Sequence, residues 1–174
     1  MSRLKTENLL YAGSLWGLIE ARTKATPEAL FAVDDQDREL SFREYRDACL
    51  KAAAGFSARG VGEGTHVSWM LPTWFESMVL VGALARLGAV QNPILPIYRH
   101  KEVGFIATQF GTKLLILPPA NPKFDYPQMG ADLAADRPGM EVMVCDQVLP
   151  EGDPATLPPA PADHAEDVGE RREP

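Results

Sequence analysis

Cysteine is scarce in this sequence: Cys49 and Cys145 are the only two among 174 residues. Two cysteines cannot make the dense disulfide framework of a small secreted domain, and neither has a histidine at metal-ligand spacing. A reducing, cytoplasmic compartment is the expectation. Long apolar runs are also missing. The longest, Met78–Ala85, is far short of the roughly 20 residues that span a bilayer, so no transmembrane segment is expected. The N-terminal stretch MSRLKTENLLYAGSLWGLIEARTK has no long apolar core or small-residue cleavage pattern, which argues against a secretory signal. Concentrated positive charge is absent too. Residues 1–149 carry 17 acidic and 15 basic side chains, residues 150–174 carry 7 and 2, and the total is −7. No basic patch points to a nucleic-acid partner. The last absence is of chemistry. The chain contains no Gly-x-Ser-x-Gly elbow, no His-Glu-x-x-His, no Walker lysine and no carboxylate pair in a catalytic frame, so no catalytic or metal-binding residue is assigned.

What is present is periodicity. Leu15, Leu18 and Ile19 mark one face of a helix that should stop near Thr26-Pro27, because proline disfavours helix in the residue before it. ALFAVDD and RELSF read as short strands around the turn Asp34–Asp37. Ser41-Phe-Arg-Glu44 matches a capping box that opens a helix, with Phe42, Tyr45, Cys49, Ala52 and Phe56 as its buried stripe. Cys49 is therefore read as core. Gly60, Gly62 and Gly64 follow. A phosphate-cradling glycine loop runs from a strand into a helix, whereas this one runs from a helix into the strand THVSWML, so it is read as a turn.

Thr73-Trp-Phe-Glu76 reads as a second capping box, opening the helix Trp74–Leu87, which is apolar nearly all round and closed by Gly88. His100–Phe110 reads as a helix with Val103, Phe105, Ile106 and Phe110 mostly inward. PANPKFDYPQMG reads as loop and ADLAADRP as a short helix at best. Strands near 65–71, 88–92, 112–117 and 140–145 alternate with these helices, the pattern of an α/β fold with a mostly parallel sheet flanked by helices. From Pro150 the chain holds six prolines in 25 residues and few large apolar side chains, so 150–174 is expected to be a proline-rich, acidic, disordered linker behind a domain at 1–149. His66 and His164 are read as surface or structural residues.

The segment from about Leu15 to Leu117 resembles the opening region of the AMP-forming acyl-CoA synthetases, which belong with luciferases and peptide-synthetase adenylation domains. The resemblance is carried by TPEALFAV, by LSFREY followed by LKAAAGFSARGVGEGTHVSWMLPTWFESMV, by ARLGAVQNPILPIYRHKEV and by TKLLIL. LPTWFE and NPILPIYRHKEV are most similar to the branch acting on short, medium-chain or cyclic carboxylic acids; Thr73 stands where that branch often has asparagine.

The resemblance implies the N-terminal subdomain of the acyl-adenylate-forming fold, cut at a linker from a longer ligase. Such a ligase joins a carboxylic acid to AMP from ATP and Mg²⁺, then passes the acyl group to coenzyme A. Its phosphate loop, metal-binding acid, ribose-binding acids and mobile C-terminal lysine are not in these 174 residues, so the segment itself is expected to be inactive and to bind no cofactor tightly. The carboxylic acid would be bound through the missing domains. The resemblance also implies that the loop at Tyr98 and Arg99 approaches the nucleotide end of coenzyme A, which makes these two residues candidate cofactor contacts; a solvated loop is the competing reading. An aryl-acid or amino-acid adenylating enzyme and a stand-alone, non-catalytic α/β binding module are the alternatives. The apolar helix 74–87 is expected to leave an uncovered face through which the chain self-associates.

Overall fold

The computed structural model describes residues 13–162. Helix α1, Leu15–Ala25, opens where Ser14 Oγ accepts the Gly17 N–H at 3.0 Å, and it ends at Thr26 ahead of Pro27. It buries Trp16 and Ile19, while Leu15 and Leu18 stay 44% and 37% exposed. The inward face is thus turned from the predicted one, because the Trp16 ring brings more apolar area to the core than either leucine. Strands β1, Leu30–Val33, and β2, Glu39–Ser41, pair antiparallel as expected. Their turn is held by Asp34 Oδ1, which accepts the N–H groups of Gln36 and Arg38, with Asp37 at φ 58°.

Helix α2, Phe42–Ala58, forms the capping box read from the sequence. Ser41 Oγ accepts the Glu44 N–H at 3.2 Å, and Glu44 Oε2 accepts the Ser41 N–H at 2.8 Å. Tyr45, Cys49, Ala52 and Phe56 are buried along it. The glycine loop is a turn: Gly60 and Gly64 take φ +85° and +72°, and Gly64 donates its N–H to the Gly88 carbonyl at 2.9 Å.

Strands β3, His66–Trp69, β4, Val90–Pro93, β5, Leu114–Leu117, and β6, Glu141–Val144, form a parallel sheet in the order β4-β3-β5-β6. Helices α3, Phe75–Leu87, α4, His100–Phe110, and α5, Tyr126–Ala135, are the crossovers. The step from β3 to β4 runs one way across the sheet and the next two steps run the other way. Because such crossovers are right-handed, α3 lies on one sheet face and α4 and α5 on the other. The burial agrees. Val67, Leu114 and Ile116 face a core shared with α1, α2 and α3, while Met70, Leu115 and Leu117 face one shared with α4 and α5. Every residue of β5 is buried, as a central strand covered on both faces requires.

Four features differ from the sequence reading. The capping box Thr73–Glu76 does not form: α3 starts one residue later, Trp74 is its N-cap without a side-chain bond, and Ser77 Oγ donates to the Pro72 carbonyl at 2.5 Å. Helix α4 buries Val103, Gly104 and Ala107 and leaves Phe105 63% exposed. Gly104 decides this, since an added Cβ there would lie 3.0 Å from Leu133 Cδ2 and 2.9 Å from Arg137 Nη2, so α5 and the loop after it approach on that side. Helix α5 begins inside the segment read as loop. Asp125 caps it by accepting the Gln128 N–H at 2.9 Å, and Pro127 stands in its first turn, where a missing N–H costs nothing.

The fourth difference is the stretch after Pro150. Residues 150–162 lie against α2 and α3 instead of running free. Gly152 donates its N–H to the Lys51 carbonyl at 3.0 Å, Arg86 Nη2 donates to the Pro158 carbonyl at 2.7 Å, and Pro150 and Pro161 sit on Gly55 and Gly88. The small residues Ala52–Gly55 make a shallow track that a proline-rich segment fills without large side chains of its own. Residues 163–174, including His164, lie outside the described part of the chain.

Candidate functional site

In an open parallel sheet, ligands bind beyond the C-terminal strand ends, where neighbouring connections leave on opposite faces. The order β4-β3-β5-β6 puts that switch point between β3 and β5; the neighbouring gap, between β3, followed by α3, and β4, followed by α4, is the one lined as a groove. It forms a groove of about 440 Å³ with Trp69, Pro72, Trp74, Met78, Pro93 and Leu95 among its walls. Among the described residues, no ionisable side chain lines it. The Ser77 hydroxyl is committed to Pro72, and Trp69 Nε1 is buried without an acceptor. The groove can take up apolar surface and, among the described residues, holds no ionisable acid or base; Thr73 brings a hydroxyl to its wall.

A second groove of about 490 Å³ adjoins it, between the β1–β2 turn and the start of α3. Asp34, Asp35 and Arg38 bring charge to it. The Arg38 guanidinium lies 2.5 Å from Asp34, 3.8 Å from Glu76 and 5.2 Å above the Phe75 ring. Burial works to raise the Asp34 carboxyl, but the Arg38 and Gln36 hydrogen bonds outweigh it and hold that carboxyl below its ordinary range. This cluster ties the hairpin to α3, while Glu76 Oε2 is buried without a hydrogen-bond partner.

Tyr98 and Arg99 sit on the loop between β4 and α4, as expected. Their surroundings were not legible in the sequence. Arg99 Nη1 donates to the carbonyls of Pro96 and Tyr98, each at 2.8 Å, and the guanidinium lies 4.2 Å above the Phe124 ring and 5.9 Å from that of Tyr126. The Arg99 N–H donates to Glu102 Oε2 at 3.2 Å, and Tyr98 is half-buried against the second core. Tyr126 Oη donates to the same Pro96 carbonyl at 3.0 Å, and His100 Nε2 lies 3.1 Å from Asp132 Oδ2. The structure therefore gathers Arg99, His100, Phe124, Tyr126 and Asp132 at one end of the sheet. The Phe124-Asp-Tyr126 pair was the available sign, hidden by the prolines around it.

The remaining candidates are structural. Burial pushes the Cys49 thiol up to about 12 and also raises the Cys145 thiol. His66 Nδ1 lies 2.5 Å from the Phe110 carbonyl oxygen, and its ring stacks on Phe110 at 4.6 Å. Among the described residues no group of three or more His, Cys, Asp or Glu could hold a metal ion. Nor does a glycine loop open any described helix at a strand end; α3 opens on Trp74 and α4 on Arg99. The described residues alone do not fit ATP with Mg²⁺, and no step through that group is derived from them.

The family model described as AMP-binding enzyme matches residues 19–171, nearly the whole chain. The chain belongs to the AMP-binding enzyme family. Among curated members, it is 31% identical over 132 residues to a salicyl-AMP ligase/salicyl-S-ArCP synthetase of Mycobacterium tuberculosis, covering 74% of this chain and 22% of that protein. It is 26% identical over 95 residues to a medium-chain fatty-acid–CoA ligase of Escherichia coli, covering 55% of this chain and 17% of that protein. This AMP-binding segment thus spans less than a quarter of those relatives. The fold is similar to a Mycobacterium tuberculosis fatty acyl CoA synthetase, with TM-score 0.68 and 24% identity over 76% of this chain and 26% of that one. It is also similar to the N-terminal subdomain of Klebsiella oxytoca NpsA in complex with 3-hydroxybenzoyl-AMSN, at TM-score 0.60 and 19% identity over 75% of this chain and 30% of that one. The α/β architecture is that of the N-terminal subdomain of adenylate-forming enzymes, and this AMP-binding segment covers 30% of the NpsA subdomain chain. No described helix is long and apolar enough to cross a membrane.

Proposed function

We propose that this chain is the opening segment of an AMP-forming carboxylic acid–CoA ligase acting on fatty acids in the cytoplasm. The whole protein would consume ATP with Mg²⁺, join the acid to AMP with release of pyrophosphate, and transfer the acyl group to coenzyme A with release of AMP. The observation that supports this most is the unbroken family match over 19–171. The segment contributes a rigid parallel sheet and the apolar groove beyond β3 and β4; the groups that handle phosphate would lie in the rest of the ligase. One observation favours a second reading. The salicyl-AMP ligase is the more similar of the two curated relatives, which supports an aryl-acid adenylating enzyme.

ATP–pyrophosphate exchange decides between them, measured on the reading frame that carries this segment with whatever follows it. Exchange driven by a medium-chain fatty acid, with thioester formed when coenzyme A is added, is the expected result. Exchange driven by salicylate alone would establish the second reading, and exchange with neither acid would overturn both. The 174-residue chain by itself is expected to release no pyrophosphate.

For Tyr98 and Arg99 we propose the coenzyme A role the resemblance implies. The guanidinium would bind nucleotide phosphate through its unengaged edge while Nη1 stays on the loop carbonyls. Arg99→Ala in the ligase should raise KM for coenzyme A several-fold and leave exchange nearly unchanged. An equal fall in both would make Arg99 a structural staple of its loop.

A further inference from the structure

We propose that residues 150–162 form a strap that closes over a buried charge, Arg86, and opens on its own while the sheet stays folded. The chain is pinned just before the strap, and the strap itself is lightly held. Cys145 and Leu149 are buried in the first core, whereas no residue from 150 to 162 is buried. Five prolines among these thirteen residues supply no backbone N–H. Among the described residues, two hydrogen bonds tie the strap to the helices. The Gly152 N–H donates to the Lys51 carbonyl at 3.0 Å, and Arg86 Nη2 donates to the Pro158 carbonyl at 2.7 Å. The others stay inside the turn at 153–157, where Asp153 receives the N–H groups of Ala155 and Thr156. A segment with so few buried contacts and bonds to its surroundings opens locally, well below the free energy of global unfolding.

What the strap covers makes closure costly. Arg86 stands in the last turn of α3, and only 8% of it is exposed. Its Nη1 is buried without an acceptor, and among the described residues no carboxylate pairs with it. Glu20 is the acid whose charge reaches it, yet Glu20 Oε1 is held by Arg46 Nε at 2.8 Å. Burial accordingly lowers the Arg86 guanidinium from its ordinary range. A buried charge without a counterion costs more than one carbonyl bond returns, so the Pro158 contact offsets only part of it. Opening the strap lets water reach the whole guanidinium.

Packing and stiffness hold the closed form against that cost. Pro150 and Pro161 sit on Gly55 and Gly88, where no side chain stands in the way, and Leu157 packs against the first core. The prolines also leave the open strap fewer conformations, so closing loses less entropy. The two forms are thereby near in free energy. Closure carries the chain from the C-terminal end of β6 to Gly88, just ahead of β4 at the other end of the sheet. Opening releases that path from Leu149 onward. The proposal does not depend on the ligase reading, since it concerns only contacts within this chain.

Hydrogen exchange of the 174-residue chain across low urea concentrations tests it. The Gly152 amide should exchange through an opening that depends weakly on urea, while the amides of β5 exchange through global unfolding. Arg86→Met keeps an unbranched stem and removes the charge, and it should slow exchange at Gly152 at least about fivefold. Phenylglyoxal, which attacks accessible guanidinium groups, gives a reading on the wild-type chain that no variant's folding can confuse. Arg86 should be modified below the urea transition, more slowly than exposed Arg43, and the modified chain should lose protection at Gly152 and keep it in β5. Exchange at Gly152 that tracks global unfolding would overturn the proposal, and so would an Arg86 that reacts only as the sheet unfolds. Equal or faster exchange at Gly152 in Arg86→Met would overturn it too, since Arg86 would then be no burden on the closed strap.

Discussion

Gly82 lies at the crossing of α3 over α2, and replacing it with alanine sets two effects of opposite sign against each other. In an exposed helix, glycine to alanine gains roughly 0.8–1.0 kcal/mol. At Gly82 the added methyl would lie 2.9 Å from Tyr45 Oη, 3.3 Å from Tyr45 Cζ and closer still to Cys49 Sγ. Carbon atoms in ordinary contact stand about 3.5–4.0 Å apart, so a shift approaching an ångström is required. Neither neighbour can yield cheaply. Cys49 is fully buried, and Tyr45 is 4% exposed, stacked on Phe31 at 3.9 Å and donating its hydroxyl to the Met78 carbonyl at 3.0 Å. Overpacking of this kind costs about 1–3 kcal/mol, and losing the tyrosine hydrogen bond adds about 1 kcal/mol. The net expectation for Gly82→Ala is destabilisation by about 1–3 kcal/mol. At roughly 2–4 °C per kcal/mol for a chain of this size, Tm should fall by about 2–12 °C. Urea unfolding followed by circular dichroism measures this directly, and the double variant with Cys49→Ala measures its cause. Removing Sγ should recover about 1 kcal/mol of coupling. A Gly82→Ala chain as stable as the parent, or more so, would refute the close crossing of α2 and α3.

Three further outcomes follow from the same geometry. Cys49 and Cys145 should react with a thiol probe at pH 8 only as the chain unfolds, because burial raises both thiols; rapid labelling of the native chain would contradict their placement. Since Cys49 titrates near 12 in the fold and about 8.5 when unfolded, its contribution to stability is whole below about pH 8.5. That contribution falls by up to about 1.4 kcal/mol per pH unit above this, because the unfolded chain gives up its proton first. Gly55→Val should lift residues 150–162 off α2, since the new side chain would overlap the Pro150 backbone; new protease cleavage in that segment, with the sheet intact, is the expected sign.

How much of this was legible depended on how far each signal reaches along the chain. The capping box at Ser41, the turn at Asp34–Asp37, the glycine turn at 60–64 and the helix stop at Gly88 are settled within four or five residues, and the structure has all of them. The alternation of apolar runs with helices was enough to place four parallel strands, and the order of helix, glycines and strand was enough to read the glycine loop as a turn. Other features depend on partners distant in sequence. Phe105 faces outward because Gly104 admits α5, and Trp16 turns α1 because α2 and α3 leave room for its ring. Thr73 fails to cap because Pro72 and Ser77 have already set the start of α3. The prolines of 118–127 and 150–161 looked like breaks. One set opens a helix, and the other lies on a track of alanines and glycine that only folding assembles. Arg99 was visible as a loop cation, but Phe124 and Tyr126 reach it across the sheet edge. Sequence by itself determined the elements and their class, because capping, turn geometry and apolar period are local. Tertiary structure alone decided which faces they bury and which side chains meet, because those depend on which elements pack together.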